Sequence, residues 1–424
     1  MKRILPAILL LHLFLPSVFS AATIEEFFEE LPLTNIKILE KESFYGSIYE
    51  IMFEQPIDHM HPELGTFSQR LYVSHYDKTQ PVVLSTEGYG ANYYYTTELA
   101  IALKCNQIIA EHRYFGKSVP DSADFEYLTT WQAASDHHRI IEKFKEFYQD
   151  KWITTGISKG GQTVMYHSYY YPDDVDARVP YVAPLNFSTE DPRIYSFLDN
   201  VGTWNCRRRI KKFQKYVLRN EDVLIPEFEK FSDTKGYTYE FVGGTEAAFE
   251  YVVLEYPFAF WQWGYAGCND IPTPETLPQK TIQHMNSVAG FDYFADEFVL
   301  EFRPFFYQAL TEMGYYGYEL DNFKKELKHV SESGFEFSLP EELSITFNPE
   351  ISVDLNNFIS NKAENFIFIY GEWDTWSATA VELSGETNSR VFYNKKGSHR
   401  TRIRHMNFDQ QEEIYTLLDS FLEN

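Results

Sequence analysis

Residues Gly156-Ile157-Ser158-Lys159-Gly160 spell a G-x-S-x-G pentapeptide, and an aspartate and a histidine, Asp374 and His399, follow in suitable settings much later. A serine hydroxyl is a poor nucleophile until a base takes its proton. An imidazole base in turn needs a carboxylate to hold its tautomer and to stabilise the imidazolium. Serine, then acid, then histidine is a chain order known for acyl-transfer chemistry through a covalent serine ester. The pentapeptide alone is a weak signal, because a glycine-rich loop around an ordinary serine would spell the same letters. Its flanks strengthen it: 151–155 reads as a short strand and 162–166 as the start of a helix. A sharp strand-to-helix turn strains the serine backbone and crowds its neighbours. Only small residues fit two positions before and after it, and Gly156 and Gly160 supply them.

The acid belongs just past the tip of a later strand. The apolar run 365–370 leads into Gly371-Glu372-Trp373-Asp374, and Asp374 is the choice over Glu372, which lies closer to the strand end. The histidine belongs in a loop between the last strand and the last helix. His399, in Gly397-Ser398-His399, has that setting, whereas His405 sits between Arg404 and Met406 and reads as the approach to a helix. An oxyanion needs two backbone N–H donors. Lys159, next to the serine, offers one, and Gly88 or Tyr89, after the strand 81–86, offers the other.

These residues require a scaffold of buried strands. Apolar runs at 81–86, 106–110, 151–155, 178–183, 365–370 and 390–393 alternate with helical patterns at 135–148 and 408–422. Strands alternating with helices imply a parallel sheet covered on both faces, so the fold class is α/β, an α/β-hydrolase. A hairpin at 48–76 precedes it. From 187 to 351 the alternation stops, and helical, aromatic-rich stretches such as 245–263 and 305–327 take over. This segment reads as an inserted helical cap over the strand C-termini, where ligands of such sheets bind. The expected division is a catalytic domain of 21–186 and 352–424 with a cap of 187–351. Residues 1–20 read as a signal peptide: Lys2 and Arg3 precede an apolar stretch that is interrupted by Pro6, His12 and Pro16 and is too short and broken to anchor in a membrane.

Composition excludes whole classes. The hydrophobic fraction of 44% is too high for disorder, and an aromatic fraction of 17% can line pockets as well as fill a core. A net charge of -25 argues against nucleic acid and against an anionic membrane surface, and it attracts cationic ligands such as peptide amino termini. Cys105 lies between apolar runs and reads as a buried thiol. Cys206 and Cys268 both fall in the inserted segment, where export would leave them either paired or as two thiols. No Cys/His spacing resembles a zinc site, so no metal or cofactor is expected.

Together the motifs resemble the secreted bacterial prolyl tripeptidyl aminopeptidase family, distantly related to prolyl carboxypeptidase and dipeptidyl peptidase II. The resemblance spans nearly the whole mature chain. It rests on Gln55-Pro56-Ile57-Asp58-His59, Thr86-Glu87-Gly88-Tyr89, Glu111-His112-Arg113-Tyr114-Phe115-Gly116-Lys117-Ser118, the Ser158 turn, Glu255-Tyr256-Pro257-Phe258 and Tyr370-Gly371-Glu372-Trp373-Asp374-Thr375-Trp376. Thr375 departs from the proline expected in many relatives. The resemblance implies release of tripeptides from free N-termini, with proline favoured before the cut.

Such an enzyme needs a carboxylate for the substrate ammonium. Glu255, beside the aromatic run 258–263, is the first choice, with Glu246 and Glu250 as alternatives and solvated surface charge as the plain reading of all three. Trp261, Trp373, Trp376 and Tyr315 are candidates to stack on a proline ring. Glu111, His112 and Arg113 read as braces of the elbow. Peptides with free N-termini are the expected partners. Dipeptide release, or a carboxylesterase or lipase on the same triad, are the competing enzyme readings. A silent binding protein is the competing class.

Overall fold

The computed structural model describes residues 21–40, 43–121, 125–340, 342–343 and 345–423. The expected signal peptide, 1–20, lies outside the described residues. Nine strands form one sheet: β1 (Leu33–Ile38), β2 (Ser47–Pro56), β3 (Thr66–His75), β4 (Val82–Thr86), β5 (Asn106–Ala110), β6 (Trp152–Ile157), β7 (Ala177–Tyr181), β8 (Ile367–Gly371) and β9 (Arg390–Asn394). Their order is β1-β2-β3-β5-β4-β6-β7-β8-β9. β1, β2, β3 and β5 pair antiparallel in turn. From β5 to β9 every pairing is parallel. The C-terminal ends of those strands therefore share one edge, where a ligand meets the sheet.

The sequence shows why both faces are covered. β4, β5, β7 and β8 are buried at every residue, as a parallel sheet under two helical layers demands. Period-2 alternation splits β4 between the faces. Val82 and Leu84 join Phe144 and Ile140 of the helix Thr130–Lys145, while Val83 joins Leu418 and Phe421 of the closing helix Phe408–Glu423. The first of these helices begins earlier than its apolar face suggests, because Thr129 caps it by accepting from the Gln132 N–H at 3.1 Å. The sequence reading missed the helix Ile24–Glu30 and β1. β1 is an edge strand exposed along most of its length, so it lacks the alternation that reveals strands.

Between β7 and β8 the chain turns helical: Pro192–Leu198, Trp204–Arg219, Glu221–Lys235, Thr245–Trp263, Pro278–Ala289, Asp296–Gln308 and Pro349–Asn361. The helix Thr245–Trp263 is apolar almost all round and runs through the middle of this group. Pro257 within it has no N–H to give the Val253 carbonyl, and the Gln214 side chain from the helix Trp204–Arg219 supplies that bond at 2.8 Å. The helix expected over 305–327 is shorter than its pattern implied. It ends at Gln308, passes through one wide turn at Ala309–Met313, and stops at Gly314. That glycine has φ 72°, and a Cβ there would press on Asn186 and on the Ser188 carbonyl, so the chain leaves in an irregular path that brings Tyr315, Tyr316 and Tyr318 inward. Cys206 and Cys268 form a disulfide with Cα atoms 5.3 Å apart, and Cys105 is a buried free thiol.

Candidate active site

Ser158 stands at the tip of β6 with φ 58° and ψ -122°, a region costly for any residue with a side chain, by about 1–3 kcal/mol. The turn is held from several sides. The Ser158 N–H donates to the Tyr181 carbonyl at 2.8 Å, and Thr86 Oγ1 donates to the Gly160 carbonyl at 3.0 Å. A Cβ on Gly156 would lie 2.2 Å from the Gly160 oxygen, and one on Gly160 would lie 2.6 Å from the Thr86 oxygen. The two glycines are therefore a steric requirement. The helix Lys159–Tyr170 starts directly after the serine, so its unpaired N-terminal N–H groups and positive dipole end stand there.

Asp374 follows β8 and is fully buried. One carboxylate oxygen accepts from the Trp376 N–H at 3.1 Å and the other meets His399 Nδ1 at 2.7 Å. Burial raises the Asp374 pKa above its ordinary value, and His399 pulls it back. An Nδ1–H given to Asp374 leaves the Nε2 lone pair of His399 free to act as a base. The ring is seated edge-on to Trp263, 5.6 Å between centroids, and the His399 N–H donates to the Gln262 carbonyl at 2.7 Å. The rivals are elsewhere: Glu372 is exposed and accepts from the Lys396 N–H, and His405 accepts from the Arg402 N–H. Ser158, Asp374 and His399 all follow C-terminal ends of parallel strands, β6, β8 and β9, along one edge. The structure joins the acid to the histidine, and the Ser158 hydroxyl makes no hydrogen bond among the described residues.

Gly88 packs directly on the elbow, since a Cβ there would fall 2.5 Å from the Lys159 Cβ. The Lys159 side chain is buried, and its amine donates to the Gly88 carbonyl at 2.7 Å. Phe115, Tyr89 and Phe305 surround that amine at 5.2, 5.5 and 6.0 Å from their ring centroids. Burial drives its pKa well below the ordinary lysine value. In a trans peptide the carbonyl and the next N–H point opposite ways. Holding the Gly88 oxygen therefore turns the Tyr89 N–H away from the lysine and fixes that peptide plane.

Glu255 is buried in the helix Thr245–Trp263. The hydroxyls of Tyr316 and Tyr318 donate to the same carboxylate oxygen at 2.8 and 2.9 Å. Tyr293 extends the network to Tyr315 at 2.8 Å and to Tyr316 at 3.3 Å. Burial raises the Glu255 pKa to about 8 against the pull of the two hydroxyls. Phe258 stacks on Tyr316 at 3.8 Å, and Trp376 meets Phe258, Tyr315 and Tyr316 at 5.1, 5.4 and 5.4 Å. The Glu255 cage thus reaches the Asp374 loop through one ring. Trp261 and Trp373 pair edge-to-face with each other at 5.5 Å, and Trp261 lies so close over Gly202 that no side chain fits there. Of the alternatives, Glu246 is exposed. Glu250 accepts from the N–H groups of Lys328, His329 and Val330 at 2.6, 3.0 and 2.7 Å, which spends it on holding that loop. Glu111 and Arg113 are likewise spent on bracing. Arg113 forks onto Asp136 at 2.7 Å, and Glu111 binds Arg70, Ser118 and backbone N–H groups. The sequence reading missed Tyr293, Tyr316 and Tyr318; the tyrosine density of Tyr315-Tyr316-Gly317-Tyr318 was the available signal.

The loops of Asp374 and His399 are tied to the helix that carries Glu255. Thr375 Oγ1 donates to the Phe258 carbonyl at 2.9 Å, and His399 is held at Gln262. A parallel sheet with a strained serine turn at its edge and an Asp–His pair past two later strands is an α/β-hydrolase. The chain belongs to the PS-10 peptidase S37 family, matched over residues 22–418, and is a serine peptidase. It is 31% identical over 388 residues to a prolyl tri/tetrapeptidyl aminopeptidase of Streptomyces mobaraensis, covering 90% of this chain and 81% of that one. Weaker likenesses reach a prolyl carboxy peptidase like protein of Caenorhabditis elegans, 22% identical over 81% of this chain and 82% of that one, and the mouse lysosomal Pro-X carboxypeptidase, 28% identical over 33% of this chain and 32% of that one.

Proposed function

We propose that the protein is an exported serine exopeptidase that releases tripeptides from free N-termini, with proline preferred before the scissile bond. The observation that carries this reading is the buried Glu255 carboxylate in its tyrosine cage, one ring away from the Asp374 loop. A carboxylate at that depth is costly unless a cation comes to it. A peptide ammonium is such a cation, and the name of the Streptomyces relative points the same way. Segment 187–351 acts as the cap that limits how much peptide fits between Glu255 and Ser158. Residues 1–20 direct export, which the Cys206–Cys268 disulfide supports, since such bonds persist in oxidising compartments.

In this mechanism His399 Nε2 takes the proton of Ser158 as its Oγ bonds to the proline carbonyl carbon. The oxyanion lies against the N–H groups of Lys159 and of Tyr89 or Gly88. His399 then returns the proton to the leaving amine as the C–N bond breaks. Water, deprotonated by the same histidine, releases the tripeptide from the ester. Asp374 keeps the imidazole oriented throughout. Trp376, and at the rim Trp261 and Trp373, offer faces for the proline ring.

Hydrolysis of Ala-Ala-Pro-, Ala-Pro- and N-acetyl-Ala-Ala-Pro- p-nitroanilides and of simple p-nitrophenyl esters tests the reading. Turnover of the free tripeptide with refusal of the acetylated one is expected. Turnover of Ala-Pro alone would make it a dipeptidyl peptidase. Cleavage of the esters only would make it an esterase.

A further inference from the structure

The helix Trp204–Arg219 is the most basic stretch of a strongly acidic chain, with seven arginines and lysines and no carboxylate: Trp-Asn-Cys-Arg-Arg-Arg-Ile-Lys-Lys-Phe-Gln-Lys-Tyr-Val-Leu-Arg. Three of the cations are engaged. Arg207 donates to the carbonyls of Asn200, Val201 and Gly202, Arg209 to Cys268 and Asn269, and Arg219 to Glu326. Arg208, Lys211, Lys212 and Lys215 make no ion pair among the described residues. Positions 204, 208, 211 and 215 form one helical stripe, so Trp204, Arg208, Lys211 and Lys215 stand in line. They form one wall of a groove of about 510 Å³.

Much of the remaining lining is aromatic and apolar: Leu254, Pro257, Trp261, Tyr316, Tyr318 and Phe323. The Arg208 guanidinium lies over the Trp204 ring at 5.1 Å and the Lys215 ammonium over Phe323 at 6.0 Å, so rings at both ends hold the cations in place without neutralising them. Asp199 and Glu319 are the acids in the lining, too few to neutralise it. Tyr316 and Tyr318 are shared: their rings line the groove and their hydroxyls hold Glu255.

We propose that this groove binds acidic segments of peptides, an anchoring site that adjoins the Glu255 cage, shares Tyr316 and Tyr318 with it and takes in Trp261. Neighbouring rings and a row of cations with no ion-pair partner among the described residues suit an extended chain carrying Asp or Glu side chains. Arg208 to Lys215 spans about 10 Å along the helix, which is about three residues of extended peptide. A bilayer surface cannot reach the aromatic lining, and a single small anion would meet only part of the row. A protein of net charge -25 otherwise repels acidic peptides, so the groove widens the range of peptides it can hold. The choice of a peptide among polyanions rests on the exopeptidase reading; the test measures binding without cleavage.

The probe is N-acetylated, fluorescein-labelled hexaglutamate amide, followed by anisotropy on the full chain carrying Ser158→Ala. The acetyl group removes any ammonium for Glu255, so failure of the aminopeptidase reading leaves the assay intact. Saturable binding is expected, weakened at least about tenfold by Lys211→Glu/Lys215→Glu and by raising salt from about 50 to about 500 mM. Lys211→Gln/Lys215→Gln should fall between. With Ser158 present, the double variant should turn over Ala-Ala-Pro-p-nitroanilide within about twofold of wild type, since neither lysine bonds to Ser158, Asp374, His399 or Glu255. No saturable binding, equal binding of hexaglutamine, or binding indifferent to both double variants would overturn the proposal. Heparin binding with the peptide refused would make the groove a polysaccharide site instead.

Discussion

Ser158, Lys159 and Glu255 each hold an unfavourable state that the surrounding residues enforce. The serine sits at positive φ because the Tyr181 carbonyl and the Thr86–Gly160 bond fix the turn around it. Ser158→Ala keeps every one of those bonds. It should lower kcat at least about 10⁴-fold while the melting temperature and circular dichroism stay unchanged. Glu255 carries the clearest pH signature. Its pKa rises from 4.5 in the unfolded chain to about 8 in the fold. The stability that its neutral form retains is complete below about pH 4.5 and is lost as pH rises towards about 8. Glu255→Gln should therefore melt close to wild type at low pH and above it near pH 9; a difference independent of pH would mean that Glu255 is not held neutral. Glu255 was legible because it adjoins a run of aromatics in its own helix. Its hydroxyl donors were not, because they come from a segment some sixty residues later whose aromatic spacing imitates a helix.

At the scale of elements, the decisive feature is how tightly two of them meet. β4, the Gly88 peptide and the elbow approach so closely that backbone touches backbone. Gly160→Ala would drive a methyl to within 2.6 Å of the Thr86 oxygen. It should cost several kcal/mol, about the range of a severe overpacking, and chemical denaturation would read it as a lowered midpoint. This constraint is local in sequence, so the elbow could be read from five letters and its flanks. The buried parallel strands were legible for the same reason, each carrying a short local run of apolar residues. The helix Thr245–Trp263 was legible from composition. Its coupling to the Asp374 and His399 loops was not, because Thr375–Phe258 and His399–Gln262 are pairs far apart in the chain. Thr375, unexpected in the sequence, is accounted for by that bond to the helix Thr245–Trp263.

At the scale of the molecule, charge is unevenly placed and the inserted helices are fastened to one another. The disulfide closes a loop of 62 residues, from the start of the basic helix to the segment after Trp263. Cys206→Ala/Cys268→Ala should lower stability by about 2–4 kcal/mol, read in a urea titration of the whole chain. Among the described residues no helix is long and apolar enough to cross a membrane. Cys206 and Cys268 were the two thiols open to pairing in the sequence, and only the packing of two segments against each other decides that they meet. The groove beside the basic helix could not be read from the chain, since part of its lining comes from Tyr316, Tyr318 and Phe323, about a hundred residues later in the sequence.

The central claim is that a buried carboxylate selects a free amino terminus. It is tested most directly by kcat/KM for Ala-Ala-Pro-p-nitroanilide and its N-acetyl form, measured on wild type and on Glu255→Gln. Losing a buried charge partner should make acetylation cost at least about a hundredfold in wild type, and much less in the variant. The variant should lose its rate on the free peptide while keeping its rate on the acetylated one. Equal turnover of the two peptides by wild type, or a preference for the free amine that survives in Glu255→Gln, would contradict the account.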